Sequence, residues 1–401
     1  MRIAERIKQI EPSATLSIST KARAMRAKGL DVVSFSAGEP DFDTPLPIKE
    51  AAKKALDQGF TKYTPTSGTE ELKEAICDKL SRENNLQYQK SEIIVSCGAK
   101  HSLYNAMMVL CNPGDEVLLP KPYWVTYLEQ IKLAGGKPVL LDCHPQTLVF
   151  ESEEIRKKLT LRTRLLILNN PSNPSGVVLD EEFLAQIAQI ACENDLTVIS
   201  DEIYEHLVYE GDFPRSIATF PGMKERTIII NGVSKSFSMT GWRIGYAAGP
   251  EEVIQAMEKL QDHSTSNPTS ISQKAAAHAL RSDPSLIREM VRIFDERRKL
   301  MVQYLQEIPQ VVFPVPQGAF YIFADFSPYL AHSFRGEKIR TSVRLAELLL
   351  EEAHVACVPG IAFGMEGYLR FSYATSQENI EKGMTRLRDF VLKLSGGGTN
   401  A

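Results

Sequence analysis

Four polar side chains, far apart in the chain, stand in the same place relative to the hydrophobic pattern. The apolar run 165–168 leads into Asn169-Asn170-Pro171-Ser172-Asn173-Pro174-Ser175-Gly176. The run 197–200 ends at Asp201-Glu202-Ile203-Tyr204, and 227–230 leads into Asn231-Gly232-Val233-Ser234-Lys235. These runs are apolar on both faces and rich in β-branched residues, the pattern of strands in a covered parallel sheet. Ligands collect beyond the carboxyl ends of such strands, so Asn173, Asp201, Tyr204 and Lys235 converge on one rim. The set offers an amide, a carboxylate, a phenol and an amine, with no histidine base, zinc spacing or nucleophile elbow. An amine of this kind suits carbonyl chemistry through a Schiff base. The matching cofactor is pyridoxal phosphate, whose aldehyde takes a lysine and whose ring nitrogen needs an anionic partner. Asp201 supplies that anion, and a phenol near the ring oxygen tunes the imine.

A phosphate needs its own cradle. Gly98-Ala99-Lys100 follows the run 93–95 and opens a helix, where unpaired backbone N–H groups suit a dianion. Ser234 and Arg243 flank the lysine, and a guanidinium contacts phosphate oxygens in bidentate fashion. Singly, each residue has a plainer reading: Lys235 as a solvated loop lysine, Asp201 as a helix cap, Asn173 as turn chemistry. The same holds for Arg370 as a paired surface arginine and Trp124 as core. For Asn173, Asp201, Tyr204 and Lys235, the common position after strands is the stronger signal.

The elements that must position these residues alternate along the chain. Helical periodicity covers 48–58, 69–84, 99–109, 181–194 and 251–261, with the short apolar runs 93–95, 117–119, 165–168, 197–199 and 227–230 between them. That alternation predicts a three-layer α/β domain with a mostly parallel sheet. Beyond residue 285 the character changes: a long helix over 285–307, a strand over 319–324, a helix over 342–353 and a strand near 368–373 predict a smaller α+β domain. The expected division is 1–45 as an N-terminal arm and part of the small domain, 46–285 as the large cofactor-binding domain, and 286–401 as the small domain. With 401 residues, 43% hydrophobic and 24% charged, the chain is neither disordered, collagen-like nor a membrane bundle. A net charge of −4 gives no footprint for nucleic acid. Six scattered cysteines without a CxxC pair fit a reducing cytoplasm. The stripe Ile3, Ile7, Ile10 reads as a docking arm; Glu5 and the lack of serine in the first ten residues oppose a transit peptide. The tail Gly396-Gly397-Gly398-Thr399-Asn400-Ala401 reads as disordered chain.

The segment Ser234-Lys235-Ser236-Phe237-Ser238-Met239-Thr240-Gly241-Trp242-Arg243-Ile244-Gly245-Tyr246 resembles the pyridoxal-phosphate lysine signature of the class I aminotransferases. Asn173-Pro174-Ser175-Gly176 and Asp201-Glu202-Ile203-Tyr204 resemble the same family's ring-contact motifs, in the family's order. The similarity runs from Pro12-Ser13-Ala14-Thr15 through Gly38-Glu39-Pro40-Asp41-Phe42 to Arg370-Phe371-Ser372-Tyr373-Ala374, and is greatest to bacterial-type aspartate aminotransferases. It implies fold type I, with a seven-stranded large domain. It implies that Lys235 carries the cofactor and shuttles the proton, that Asp201 pairs with the pyridine nitrogen, and that Tyr204 and Asn173 contact the ring oxygen. By the same resemblance Trp124 stacks on the ring, Gly98, Ala99, Lys100, Ser234 and Arg243 hold the phosphate side, and Tyr63 reaches the phosphate of a neighbouring subunit in a homodimer. Arg370 clamps the substrate α-carboxylate, assisted by Gly38 and Asn173, with Trp124 and Lys100 also on the substrate side.

The implied reaction is transfer of the amino group of L-aspartate to 2-oxoglutarate, by a ping-pong mechanism. In animal-type relatives an arginine ahead of a Ser-Asn-Pro segment binds the distal carboxylate; here Ser266-Asn267-Pro268 is present but Asp262 stands at that place. Lys100 is the cation expected to take over. Relatives that transaminate prephenate tend to carry a basic residue before Pro-Ser-Ala-Thr, whereas this chain has Glu11, so poor prephenate activity is expected. The alternatives are another amino donor (aromatic, kynurenine-like or prephenate-linked), a lyase outcome, and a non-catalytic cofactor-binding module. No basic arm or DNA-binding appendage supports the last of these.

Overall fold

The computed structural model describes residues 1–12, 14–211 and 213–396. The chain opens with α1 (Glu5–Lys8) and α2 (Ala14–Ala27), then the short β1 (Val33–Ser34), α3 (Leu46–Asp57) and α4 (Glu70–Asn84). Next come β2 (Ile93–Ser96), α5 (Ala99–Leu110), β3 (Glu116–Pro120), α6 (Val125–Leu133), β4 (Lys137–Leu141), α7 (Ser152–Lys158) and β5 (Thr163–Asn169). They are followed by α8 (Glu181–Glu193), β6 (Thr197–Asp201), β7 (Thr227–Gly232), β8 (Gly245–Ala248), α9 (Glu251–Asp262) and α10 (Ser270–Leu280). The C-terminal part holds α11 (Ser285–Gln306), β9 (Tyr321–Asp325), the hairpin β10 (Ser333–Phe334) and β11 (Glu337–Lys338), and α12 (Ser342–Glu352). It closes with β12 (Val355–Ala356), β13 (Val358–Pro359), β14 (Tyr368–Ser372) and α13 (Gln377–Gly396).

Seven strands form one sheet in the order β2-β8-β7-β6-β5-β3-β4. All neighbours are parallel except β8, which is antiparallel to both β2 and β7. Because strand side chains alternate between faces, each strand feeds two cores. Ile167, Ile199 and Ile228 pack with Leu103 and Met107 of α5 and Met257 of α9, whereas Leu166, Leu168 and Val198 pack with Leu184 and Ile187 of α8. Both faces are therefore covered, which is why the runs lack polar alternation. Helix starts follow local chemistry: Thr69 accepts from Leu72 N–H at 3.3 Å, and Asp180 from Phe183 N–H at 2.7 Å.

Two strands of the seven-stranded sheet escaped the sequence reading. β4 is the edge strand and carries Pro138, which an edge tolerates because no neighbour needs its missing N–H. β8 is Gly-Tyr-Ala-Ala and lacks the β-branched signal; its glycine lets it run against the start of α5, since a β-carbon on Gly245 would lie 2.0 Å from Ala99 N. The C-terminal strand expected over 319–324 begins two residues later, at Tyr321, after Ala319 at a positive φ of 56°.

The smaller sheet, β13-β14-β9, is antiparallel and shares a core with α11 and α13 that includes Phe294, Phe371 and Leu387. The N-terminal segment joins this part: β1 pairs in parallel with β12, and Phe35 exchanges backbone bonds with Ala356 and Ser372. Residues that follow β1 are thereby carried to the large sheet, where the Gly38 carbonyl meets Lys235 just past β7. Gly396 closes α13 rather than belonging to a disordered tail, and 397–401 lie outside the described residues. Ile3 and Ile7 are exposed. Among the described residues, no helix is long and apolar enough to cross a membrane.

Candidate active site

A cavity of about 640 Å³ lies beyond the carboxyl ends of β5 and β6, walled by the starts of α5 and α6, residues 34–39, and Tyr321 and Arg370 from the smaller sheet. Its lining carries six basic side chains and two acidic ones, a field that favours anionic ligands. Among the described residues, no group of three His, Cys, Asp or Glu is arranged to hold a metal ion.

Lys235 stands just past β7, and its Nζ donates to the Gly38 carbonyl at 2.6 Å. Desolvation is the main cause that brings its pKa down to about 8, so a fraction of the amine is neutral, and nucleophilic, near pH 7. Asp201 is the last residue of β6 and is buried. Its Oδ2 accepts from the Tyr127 hydroxyl at 2.6 Å and its Oδ1 from Ile203 N–H at 3.3 Å. Burial pushes it up to about 6, against the opposing pull of Tyr127, the Ile203 N–H and the Lys235 charge.

Arg370 projects from β14 and is 1% exposed. Its Nη1 donates to Asn173 Oδ1 at 3.0 Å and its Nη2 to the Ser36 carbonyl at 3.1 Å. The guanidinium lies 4.4 Å from the Tyr321 ring centre and 5.0 Å from that of Phe363. Its buried Nε has no hydrogen-bond partner, and no carboxylate among the described residues pairs with it. A buried cation left this way is costly, which marks the place of an incoming anion.

Gly98, at φ +92°, packs beneath Arg243: a β-carbon there would lie 2.3 Å from Nη2. Arg243 donates to the Thr240 and Cys97 carbonyls at 2.8 and 3.2 Å. Ala99 and Lys100, the first two residues of α5, line the cavity with Ser234, and the first N–H groups of a helix lack intrahelical partners. Lys100 Nζ sits 4.8 Å from the Trp124 ring centre, and burial followed by the Arg243 charge lowers its pKa. Tyr204 Oη lies 2.9 Å from Tyr321 Oη, and burial holds the Tyr204 phenol well above its ordinary pKa.

The cavity thus gathers Gly38, Ala99, Lys100, Trp124, Asn173, Asp201, Tyr204, Ser234, Lys235, Arg243 and Arg370, with Gly98 just behind Arg243. Tyr63 stands apart: it is 91% exposed and does not line the cavity of its own chain. Among the further lining residues that sequence reasoning passed over are Ser36, Tyr127 and Tyr321. Tyr127 lies three positions after Trp124, one helical turn away, and that spacing was the available signal. Nothing in the sequence pointed to Tyr321, which looks like ordinary strand core.

Residues 30–387 match the family described as aminotransferase class I and II. The chain is 46% identical over 391 residues to an aspartate aminotransferase of Bacillus sp. (strain YM-2), covering 97% of this chain and 99% of that one. It is 46% identical over 390 residues to a probable aspartate/prephenate aminotransferase of Aquifex aeolicus (strain VF5), covering 96% and 98%. The fold superposes on the crystal structure of the aspartate aminotransferase from Rhizobium meliloti with a TM-score of 0.95 at 42% identity, covering 98% of this chain and 100% of the other. With the family model spanning most of its length and full-length relatives at this identity, the chain belongs to the class I and II aminotransferases, enzymes that move an amino group from an amino acid to a 2-oxo acid.

Proposed function

We propose that this enzyme transfers the amino group of L-aspartate to 2-oxoglutarate, using pyridoxal 5′-phosphate joined to Lys235. One observation carries the reading. Across a single cavity, the amine of Lys235, brought down to about 8, faces a buried Arg370 that has an unpartnered Nε and no carboxylate. That pair suits the α-carboxylate and α-carbon of an amino acid.

The donor set fits the cofactor. The space above Gly98 is filled by the Arg243 guanidinium, where a β-carbon would collide, so the start of α5, Ser234 and Arg243 form a dianion cradle. Asp201 is the anion for the pyridine nitrogen, Trp124 the platform for the ring face, and Tyr204 and Asn173 the partners of the ring oxygen. When bound, pyridoxal phosphate supplies an electron sink that acidifies the substrate α-carbon. Lys235 Nζ takes the proton from that carbon, and Gly38, whose carbonyl accepts from Nζ at 2.6 Å, orients the amine. Arg370 and Asn173 fix the α-carboxylate, and Lys100 reads the distal carboxylate of aspartate.

The same reading makes the protein a homodimer in which Tyr63 completes the partner's phosphate site; its exposure of 91% supports that. It divides the chain into 1–45, 46–285 and 286–401, supported by the β1–β12 pairing, and places the enzyme in the cytoplasm. Purified protein is expected to be yellow, and the colour to change on adding aspartate. Borohydride reduction and peptide mapping should place the adduct on Lys235; an adduct elsewhere sinks the reading. A panel of amino donors with 2-oxoglutarate should rank aspartate first. A second reading, prephenate as amino acceptor, draws on the name of the Aquifex aeolicus relative. Glu11 opposes it, and prephenate turnover comparable with that of oxaloacetate would favour it.

A further inference from the structure

Tyr127 has no part in the mechanism above, yet its hydroxyl lies 2.6 Å from Asp201 Oδ2, with both side chains buried. Burial and the neighbouring Asp201 drive the phenol well above its ordinary pKa, so it stays protonated and acts as a donor. The carboxylate accepts this bond on Oδ2 and the Ile203 N–H on Oδ1. A carboxylate has about four acceptor sites, which leaves room for one more donor from the cavity. Tyr127 is itself held: its N–H bonds to the Trp124 carbonyl at 3.0 Å, and the two rings meet edge to face at 5.4 Å. One turn at the start of α6 therefore carries both the aromatic platform and the hydroxyl that meets Asp201.

We propose that Tyr127 is a positioning residue, whose hydroxyl fixes the plane of the Asp201 carboxylate and keeps it ionised toward the cofactor's pyridine nitrogen. The inference rests on the reading of Asp201 given above. Burial opposes a charge at this depth. The groups that face the carboxylate are Tyr127 from α6, the Ile203 N–H and Tyr204 from its own turn, and Lys235 from the loop after β7. Lys235 cannot serve as the lasting counter-charge, because its amine is the group that reacts. Asn169 on β5 bonds to the Asp201 backbone carbonyl, not to its carboxylate. That leaves the phenol as the side-chain donor that persists whatever the state of the lysine.

The test is Y127F, which keeps the ring and its contact with Trp124 and deletes only the hydroxyl. Apoprotein is titrated with pyridoxal 5′-phosphate, followed by tryptophan fluorescence, from about pH 5 to about pH 9, in wild type, Y127F, D201N and the double variant. Wild-type affinity is expected to weaken as pH falls through about 6, where Asp201 takes a proton. In Y127F that limb moves to higher pH, and affinity near neutrality falls about tenfold. In the D201N background the Y127F change has no further effect, since no carboxylate remains to hold. Y127H, which restores an N–H donor, binds more tightly than Y127F. Wild-type behaviour of Y127F overturns the inference. So does a loss that is equal at every pH and persists with D201N, because that is a packing defect. If D201N weakens binding while Y127F does not, the role of Asp201 stands and that of Tyr127 falls; if neither weakens it, both fall.

Discussion

Asn173 and Arg370, separated by 197 positions in sequence, meet in the buried wall of the cavity, where Oδ1 of the amide accepts from Nη1 of the guanidinium at 3.0 Å. The bond joins the loop after β5 to β14 of the smaller sheet, so the carboxylate clamp exists only when the two parts of the chain are docked. Asn173 is held from the other side as well, its N–H donating to Asn169 Oδ1 at 2.7 Å.

Replacing Arg370 with leucine separates binding from stability. Loss of a buried, charge-assisted clamp is worth about 3–4 kcal/mol, so kcat/KM for aspartate should fall by about two to three orders of magnitude. The folded protein should be no less stable, because a buried cation without a counter-charge is removed. Steady-state kinetics and thermal melting on one preparation decide it. A large drop in melting temperature would mean that the guanidinium holds the fold rather than the substrate.

Gly98→Ala should injure the phosphate cradle. The position has φ +92°, and the new methyl would press on Arg243. Strain of this kind costs about 1–3 kcal/mol, and displacement of the guanidinium should weaken pyridoxal phosphate binding at least about tenfold. Equilibrium dialysis of the apoprotein gives the affinity. Unchanged binding in a folded variant would show that Arg243 can move aside without loss.

Glu202, next to Asp201, sets a pH dependence of stability. It is buried, and desolvation followed by the Glu205 charge pushes it up to about 7 from an ordinary 4.5, against bonds from Ser216 and Ser200. A carboxyl raised in the folded state keeps its proton where the unfolded chain has lost it, so stability declines as pH rises from about 4.5 to about 7 and levels off above. Glu202→Gln escapes this decline. Relative to wild type it should gain about 3 kcal/mol between the two ends of that window. Denaturant unfolding near both ends gives the difference; an equal gap at each end would refute the buried-carboxyl explanation.

Lys100→Ala tests the distal carboxylate. The side chain lies over Trp124, inside the cavity and near Arg243. The expected result is a drop of about tenfold or more in kcat/KM for aspartate, with little change for amino acids lacking a second carboxylate. If aspartate turnover holds while pyridoxal phosphate binding also holds, Lys100 does not read the substrate side chain.

Much of this was legible from residue order alone. Lys235, Asp201 and Asn173 stand immediately after runs with the composition of covered strands, and a strand followed by a turn is a local pattern. The lysine segment from Ser234 to Tyr246 is local as well. β4 and β8 were not legible: an edge strand with proline and a Gly-Ala strand take their conformation from their neighbours rather than from their own propensity.

Sequence by itself determined the chemistry available, an amine, a carboxylate, a phenol and a guanidinium, and the rim on which the first three gather. Tertiary structure alone decided which of them touch: Tyr127 with Asp201, Tyr204 with Tyr321, Arg370 with Asn173 and Ser36. It also decided that Tyr63 stands outside its own cavity. The reason is physical. Periodicity reports which face of an element is buried, whereas a hydrogen bond across 74 residues or more depends on how separately formed elements dock, and no short stretch of chain encodes that distance.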